Sequence, residues 1–336
     1  MLKRSYFAAA NGYTGFRSYF DNIFNSESFK RIFVLKGGPG TGKSTLMKRV
    51  ADFATSADLD CDMIYCSSDP GSLDGVIVYT KRGKYAVIDG TAPHQRDAVI
   101  PGAIDIIVNL GDNFDITLLE SRRDEILILN EKKKSAYIDA YVYLRTAGAI
   151  NSKIVDLIKN SFNYEKAEHI VSTIVSFSMA KGSNPKLALK RAFCKHGYFD
   201  LNDFIPTNRS FKISGQYGEE KEFLKILADK FGQGYDYMSF DPLCEQTPDV
   251  LIADNTSYAC TTDSVSEFSA QECLNKSISF EELSELKEMH DSLLNMARKH
   301  FEDAALLHFE LEAIYSSSLD FSKNDAIMNR IISYIL

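Results

Sequence analysis

Short apolar runs alternate with amphipathic stretches along the first part of the chain. Ile32-Phe33-Val34-Leu35 is continuous and apolar, the pattern of a parallel strand buried on both faces. Met63-Ile64-Tyr65-Cys66 and Tyr85-Ala86-Val87-Ile88-Asp89 read the same way. Between the first two runs, Leu46, Met47, Val50, Phe53 and Ala54 fall on one face of a helix. From about Thr117 to Ala180 the periodicity turns helical, with Ile126, Leu129, Tyr137, Tyr141, Leu144, Ile154, Val155 and Ile158 at helical spacings. Strands alternating with helices predict an α/β layered fold.

The pattern then repeats. Phe211 to Leu224 aligns with Phe33 to Leu46 at an offset of 178, setting Gly215 against Gly37, Gly218 against Gly40, Lys221 against Lys43 and Leu224 against Leu46. Asp241-Pro242 matches Asp69-Pro70 at an offset of 172, Pro248 to Ile252 matches Asp74 to Val78 at 174, and Tyr258-Ala259-Cys260 matches Tyr85-Ala86-Val87 at 173. A second helical tail follows, carrying Leu283, Leu286, Leu293, Met296, Leu306, Phe309, Ile314 and Tyr315. The division expected is 1–187 for one module with its helical extension and 188–336 for a second.

Directly after the first strand stands Gly37-Gly38-Pro39-Gly40-Thr41-Gly42-Lys43-Ser44-Thr45, a full G-x-x-x-x-G-K-[ST] motif, and a helix follows it. Strand, glycine loop and helix in that order are the context of a phosphate-binding loop. Glycines let consecutive N–H groups turn inward around phosphate oxygens. The helix N-terminus adds unpaired donors and a positive dipole end. Lys43 is placed to reach the β- and γ-phosphates, and the Ser44 hydroxyl to ligate Mg²⁺. No N-K-x-D tetrapeptide of the guanine-reading kind is present, Asn275-Lys276-Ser277-Ile278 lacking the acid. ATP is therefore expected over GTP.

Asp89 ends an apolar strand at the sheet edge where ligands collect in open α/β folds, which gives it the part of a Mg²⁺ ligand acting through water. Gly90 follows it, so no glutamate stands there to orient an attacking water. Asp69 falls at the same edge as a possible base, although Asp-Pro also starts turns. His94 lies in a loop from which it could meet the γ-phosphate. Arg122 and Arg123 open the helical region, as an arginine finger or as surface ion pairs.

In the second copy the ungapped alignment at 178 turns Gly42 into Glu220 and Ser44 into Glu222, and the offset of 173 turns Asp89 into Thr262. A carboxylate about 4 Å from a phosphate costs on the order of 4 kcal/mol at an effective dielectric of 20. The second module is therefore expected to bind no nucleotide.

Composition narrows the remaining classes. With 336 residues, 45% hydrophobic and 25% charged, the chain has the make-up of a globular protein of about two domains. A net charge of −8 argues against a nucleic-acid footprint, and Lys132-Lys133-Lys134 reads as a solvated helix face. No apolar run approaches the roughly 20 residues of a membrane span, and no signal pattern follows Met1, so a cytoplasmic protein is expected. The six cysteines form no C-x-x-C and no zinc spacing.

KGGPGTGKST, CSSDPGSLDGVIV, VIDGTAPH and PGAIDIIVNLGD resemble a bacterial group of tandem P-loop proteins labelled ATPases or nucleotide-kinase-like. The resemblance implies two P-loop NTPase modules with mainly parallel sheets, ATP with Mg²⁺, and Gly37 to Thr45 with Asp89 as the working site. Family members often keep both loops intact; this chain departs from that. The expected function is Mg²⁺-dependent ATP binding and hydrolysis coupled to a conformational change. Alternatives are a P-loop kinase acting on a small molecule and a nucleotide sensor with little turnover. Neither a protein partner nor an oligomeric state can be read from the sequence.

Overall fold

In the computed structural model the described residues are 2–336 apart from His94, 177–185, Gln233, Asp263, Ser264 and Lys276. The first half contains β1 (Lys3–Phe7), β2 (Ala9–Gly12), β3 (Gly15–Ser18), α1 (Phe20–Ile23), β4 (Arg31–Lys36), α2 (Lys43–Ser56), β5 (Asp60–Tyr65), β6 (Leu73–Thr80), β7 (Gly83–Asp89) and β8 (Asp105–Asn109). Three helices follow, α3 (Ile116–Ser121), α4 (Arg123–Ser161) and α5 (Tyr164–Ser176). The second half contains β9 (Lys186–Leu187), β10 (Arg191–Cys194), β11 (Gly197–Asp200), β12 (Arg209–Ser214), α6 (Glu219–Phe231), β13 (Tyr237–Asp241), β14 (Cys244–Ala253), β15 (Thr256–Thr261), β16 (Phe268–Ser269), α7 (Phe280–Ser317) and α8 (Ser322–Ile335). The expected helical stretch to Ala180 thus divides into three helices, and its last four residues lie outside the described ones.

The first sheet runs β1-β5-β6-β7-β4-β8 and the second, read in the matching direction, β9-β13-β14-β15-β12-β16. The two orders correspond strand for strand, so the repeat read in the sequence is a repeat of topology. In each sheet five of the six strands run parallel and one, β6 or β14, runs against them. β6 is antiparallel to β5 and β7, whereas β1–β5, β4–β7 and β4–β8 are parallel. The reason is the short turn: Lys81-Arg82 joins Thr80 to Gly83, and two residues can only connect antiparallel neighbours. In the second sheet the same turn is Asp254-Asn255, both at positive φ (46° and 57°), as a primed hairpin turn requires.

β4 is buried on both faces. Phe33 and Leu35 join Leu46, Met47, Val50 and Ala54 of α2 in one cluster. Ile32 and Val34 face the other way and share a cluster with Val250, Ile252 and Ala259 of the second sheet. The two sheets therefore meet through their inner faces, with α2 and α6 outside. α4 and α7, 39 and 38 residues long, pair antiparallel. Leu129 packs with Leu311 and Ile314 at one end, Leu144 with Ala297 and Phe301 in the middle, and Ile154 and Ile158 with Leu283 at the other. Small residues on the seam (Ala140, Ala147, Ala297, Ala304) are fully buried and permit close approach. Ser279 starts α7 by accepting the Glu282 N–H at 3.2 Å, with the acid at the third position as in a capping box.

The antiparallel pair carries each tail across to the other half. α5, which follows α4, places Ala167 and Val171 against Phe223, Leu224 and Leu227 of α6. α8 places Met328, Ile331 and Ile335 against α2. β9 also belongs to the second sheet, pairing with β13. The expected boundary at 187/188 thus falls just after a strand of the second sheet, and one cut does not divide the chain into two self-covered units. This arrangement is testable. Ile331→Ala removes side-chain volume at a 1% exposed position and should lower stability by about 2–5 kcal/mol, with loss of hydrogen-exchange protection in α2. A variant within about 0.5 kcal/mol of the wild type would contradict the packing of α8 on the first half.

Candidate functional site

The glycine loop leaves β4 at Lys36 and enters α2 at Lys43. Gly37, Gly40 and Gly42 hold positive φ of 148°, 69° and 83°, conformations that favour glycine. The Thr41 hydroxyl donates to the Gly38 carbonyl at 2.9 Å. Lys43 Nζ donates to the carbonyls of Gly37 (3.0 Å) and Gly38 (2.9 Å), so its ammonium lies in the loop's own bend. Ser44 Oγ accepts the Leu73 N–H at 2.9 Å. Pro39 is partly exposed and Thr45 exposed.

Asp89 ends β7 directly beside β4, in register with Leu35. One carboxylate oxygen lies 3.7 Å from Lys43 Nζ. The other accepts the Thr91 N–H at 2.8 Å and its hydroxyl at 2.6 Å. Burial raises the Asp89 carboxyl above its usual range, against the pull of Lys43. The structure thus brings Lys43, Ser44 and Asp89 to one end of the sheet. His94 lies outside the described residues. Arg122 holds Glu125 through two 2.8 Å hydrogen bonds on the surface, and Arg123 is exposed.

Asp69 follows β5 and makes a turn, with the Ser72 N–H donating to its carbonyl at 2.8 Å. Its carboxylate takes Lys195 Nζ at 2.8 Å. Burial pushes that carboxyl up, but the hydrogen bond and charge of Lys195 outweigh it and hold Asp69 below its usual range. Lys195 belongs to the tip between β10 and β11, in the other half of the chain. The end of α7 covers the loop as well. A Cβ on Gly40 would stand 2.5 Å from the Glu312 carbonyl oxygen, and one on Gly38 would meet the Tyr315 ring at 3.5 Å. Asn324 donates to the Thr41 carbonyl at 3.2 Å. His308 Nε2 is 3.6 Å from Glu312, and burial with the nearby charges of Lys133 and Lys43 lowers its pKa to about 4. Lys133 is partly buried, and burial lowers it against the pull of Glu312; it does not belong to the solvated face read for Lys132 to Lys134. Sequence reasoning missed Lys195, His308, Glu312 and Asn324. For Lys195 a faint signal exists, since Ala192 to Gly197 matches Ala10 to Gly15 at an offset of 182.

The second loop differs in length, which corrects the ungapped alignment. It spans 215–218, four residues between β12 and α6, where the first has six. Gly218, at φ 111°, immediately precedes its helix as Gly42 does, so Gly218 takes the place of Gly42 rather than Gly40. The loop amides are already occupied. Gln216 and Tyr217 donate to the Glu219 carboxylate at 3.0 and 2.9 Å, and Gly218 donates to Glu220 at 3.2 Å. Lys221 is taken by Asp241. The acids fill the nest that these amides form.

A family model described as Nephrocystin 3, N-terminal, matches residues 16–74, the segment holding β4, the glycine loop, α2 and β5. The likeness extends over that segment alone and places the chain in no family. No curated protein and no solved structure matches it. Among the described residues no helix is long and apolar enough to cross a membrane.

Burial raises Glu220 to about 7, well above an ordinary glutamate. A carboxyl whose pKa is raised on folding stabilises fully below its unfolded pKa and loses that contribution as pH rises through the folded value. Wild-type stability should therefore fall between pH about 4.5 and 7 relative to Glu220→Gln, by on the order of 2 kcal/mol. Parallel stability profiles across that range would refute this assignment of Glu220.

Proposed function

We propose that this chain is a Mg²⁺-dependent ATP-binding protein of the P-loop NTPase type, with one working site at Gly37–Thr45, and that it hydrolyses ATP. One observation carries the reading. A six-residue loop with three positive-φ glycines joins a buried parallel strand to a helix, and Lys43, Ser44 and Asp89 gather at its end. The residues fit the triphosphate, because the loop offers backbone donors and a cation. They also fit Mg²⁺, since a hydroxyl and a carboxylate are the oxygen ligands that ion takes. Bound there, the ion would neutralise charge on the transferring phosphoryl group.

The chain's own groups have definite parts. Lys43 exchanges the Gly37 and Gly38 carbonyls for phosphate oxygens. Asp89, whose second oxygen faces Lys43 at 3.7 Å, would hold Mg²⁺ through water. Asp69 is a weak general base, being held ionised by Lys195. The loop's outer side is covered by α7 and α8, not by an open cleft for an acceptor. This cover favours hydrolysis linked to movement of the second half over transfer to a small molecule.

Lys43→Ala should abolish binding of a non-hydrolysable ATP analogue in calorimetry while keeping the circular dichroism of the wild type. Asp89→Asn should weaken Mg²⁺-dependent binding by roughly tenfold or more and leave Mg²⁺-free binding nearly unchanged. The wild type should bind close to one nucleotide per chain. Unchanged affinity in Lys43→Ala would overturn the site, and a stoichiometry of two would overturn the exclusion of the second loop.

A further inference from the structure

The two halves exchange hairpins as well as helical tails, and the hairpin tips differ in chemistry. β2 and β3 pair with Gly12 opposite Gly15, leaving Tyr13 and Thr14 at the tip. β10 and β11 pair with Cys194 opposite Gly197, leaving Lys195 and His196. Each tip docks on the Asp-Pro turn of the other half. Tyr13 donates its N–H to the Leu243 carbonyl at 3.0 Å, just past Asp241-Pro242. Lys195 binds Asp69, just before Pro70. The tip that docks beside Asp241 thus carries a tyrosine, whose hydroxyl is 2.7 Å from His290 Nε2. The tip that docks on Asp69 carries a lysine.

The position of Lys195 is fixed from two sides. On one, the turn holding Asp69 leads through Ser72 to Leu73, whose N–H binds Ser44 at the start of α2. On the other, the Lys195 ammonium stands 4.7 Å from the centre of the Phe309 ring, one turn of α7 before Glu312, which abuts Gly40. The ammonium is held between the two elements that flank the glycine loop, and its side chain is only 15% exposed.

We propose that Lys195 contacts the γ-phosphate of a nucleoside triphosphate held by Gly37–Thr45, so that the site is completed from the other half of the chain. The inference rests on the nucleotide-binding reading of that loop. Without nucleotide, Lys195 is kept in place by Asp69. A triphosphate offers it several negative charges where Asp69 offers one, and the flexible lysine stem lets the ammonium move between them. A diphosphate ends short of it. Lys195 thereby makes the site discriminate ATP from ADP, and ties the hairpin of the second half to the presence of the γ-phosphate.

The test compares β,γ-imido-ATP and ADP, each with Mg²⁺, by calorimetry on the full chain. Lys195→Gln should lose about tenfold or more in affinity for the triphosphate and keep that for ADP, and Lys195→Arg should restore most of the loss. Equal affinity of Lys195→Gln and wild type for the triphosphate, or an equal loss for both nucleotides, would overturn the proposal. Failure of the wild type to bind either nucleotide would overturn the loop reading itself, and the inference with it. Should Lys195→Gln not fold, Asp69→Asn decides. Freeing Lys195 should tighten triphosphate binding and leave ADP unchanged, and an unaltered triphosphate affinity would count against the contact.

Discussion

Each crossover helix, α2 and α6, has an outer apolar face that its own half of the chain does not cover. Burial of that face is what the architecture turns on, because at about 25 cal/mol per Å² an uncovered helix face forfeits several kcal/mol. The cover for α2 is Met328, Ile331 and Ile335 of α8, and that for α6 is Ala167 and Val171 of α5. Each arrives from the opposite half, delivered by the antiparallel pairing of α4 and α7. The same pairing brings Glu312, Tyr315 and Asn324 over the first glycine loop. Stability and the surroundings of the loop therefore have one cause: a helix long enough to cross from one half to the other.

The two loops show how a small change in length decides electrostatics. Six residues give the first loop three glycines at positive φ, Gly37, Gly40 and Gly42, and Lys43 at the start of α2 reaches back to its carbonyl oxygens. Four residues leave the second loop tight against its helix, so carboxylates at the first helical positions reach back to the amides. Glu219 satisfies donors that a phosphate would otherwise take. The strand beneath has changed with it. Ser210 and Lys212 line a cavity of about 920 Å³ with Lys221, Asp241 and Asp249, whereas the inner face of β4 is filled by Ile32 and Val34. The second half has kept the apolar positions that pack on its helix, Phe211 and Ile213, and exchanged the inner-face ones for polar residues.

The legible part of this architecture was local. The continuous apolar runs gave β4, β5 and β7, the 3.6-residue period gave α2, α4 and α7, and near-constant offsets gave the repeat whose strand order recurs. Lys43, Ser44 and Asp89 were found because motif and strand-ending acid are local signals, and the structure gathers them. The antiparallel strands β6 and β14 were not read, because Asp74-Gly75 and Pro248-Asp249 interrupt their apolar runs. The loop deletion was hidden by chance identities, Lys221 aligning with Lys43 while in the fold it neutralises Asp241. Lys195, Glu312 and Asn324 lie far from the loop in sequence, and only the exchange of tails and hairpins brings them near it. Topology of that kind leaves no local periodicity.

The exchange has a mechanical consequence. Lys195 and Glu312 both belong to the second half, one on a hairpin tip and one on α7, and both meet acids or amides of the first half around the proposed phosphate position. On the proposed reading an anion entering the loop would change both sets of contacts together, since Lys195 is bound to Asp69 and Glu312 stands against the Gly40 backbone. Those contacts continue into rigid elements: the hairpin packs by Phe193 against Phe301 of α7, and α7 runs the length of the molecule beside α4. The two elements nearest the first loop are thus themselves packed together. At the far end the amides of the second loop are taken by Glu219 and Glu220, so the two ends of that unit differ in what their loops offer.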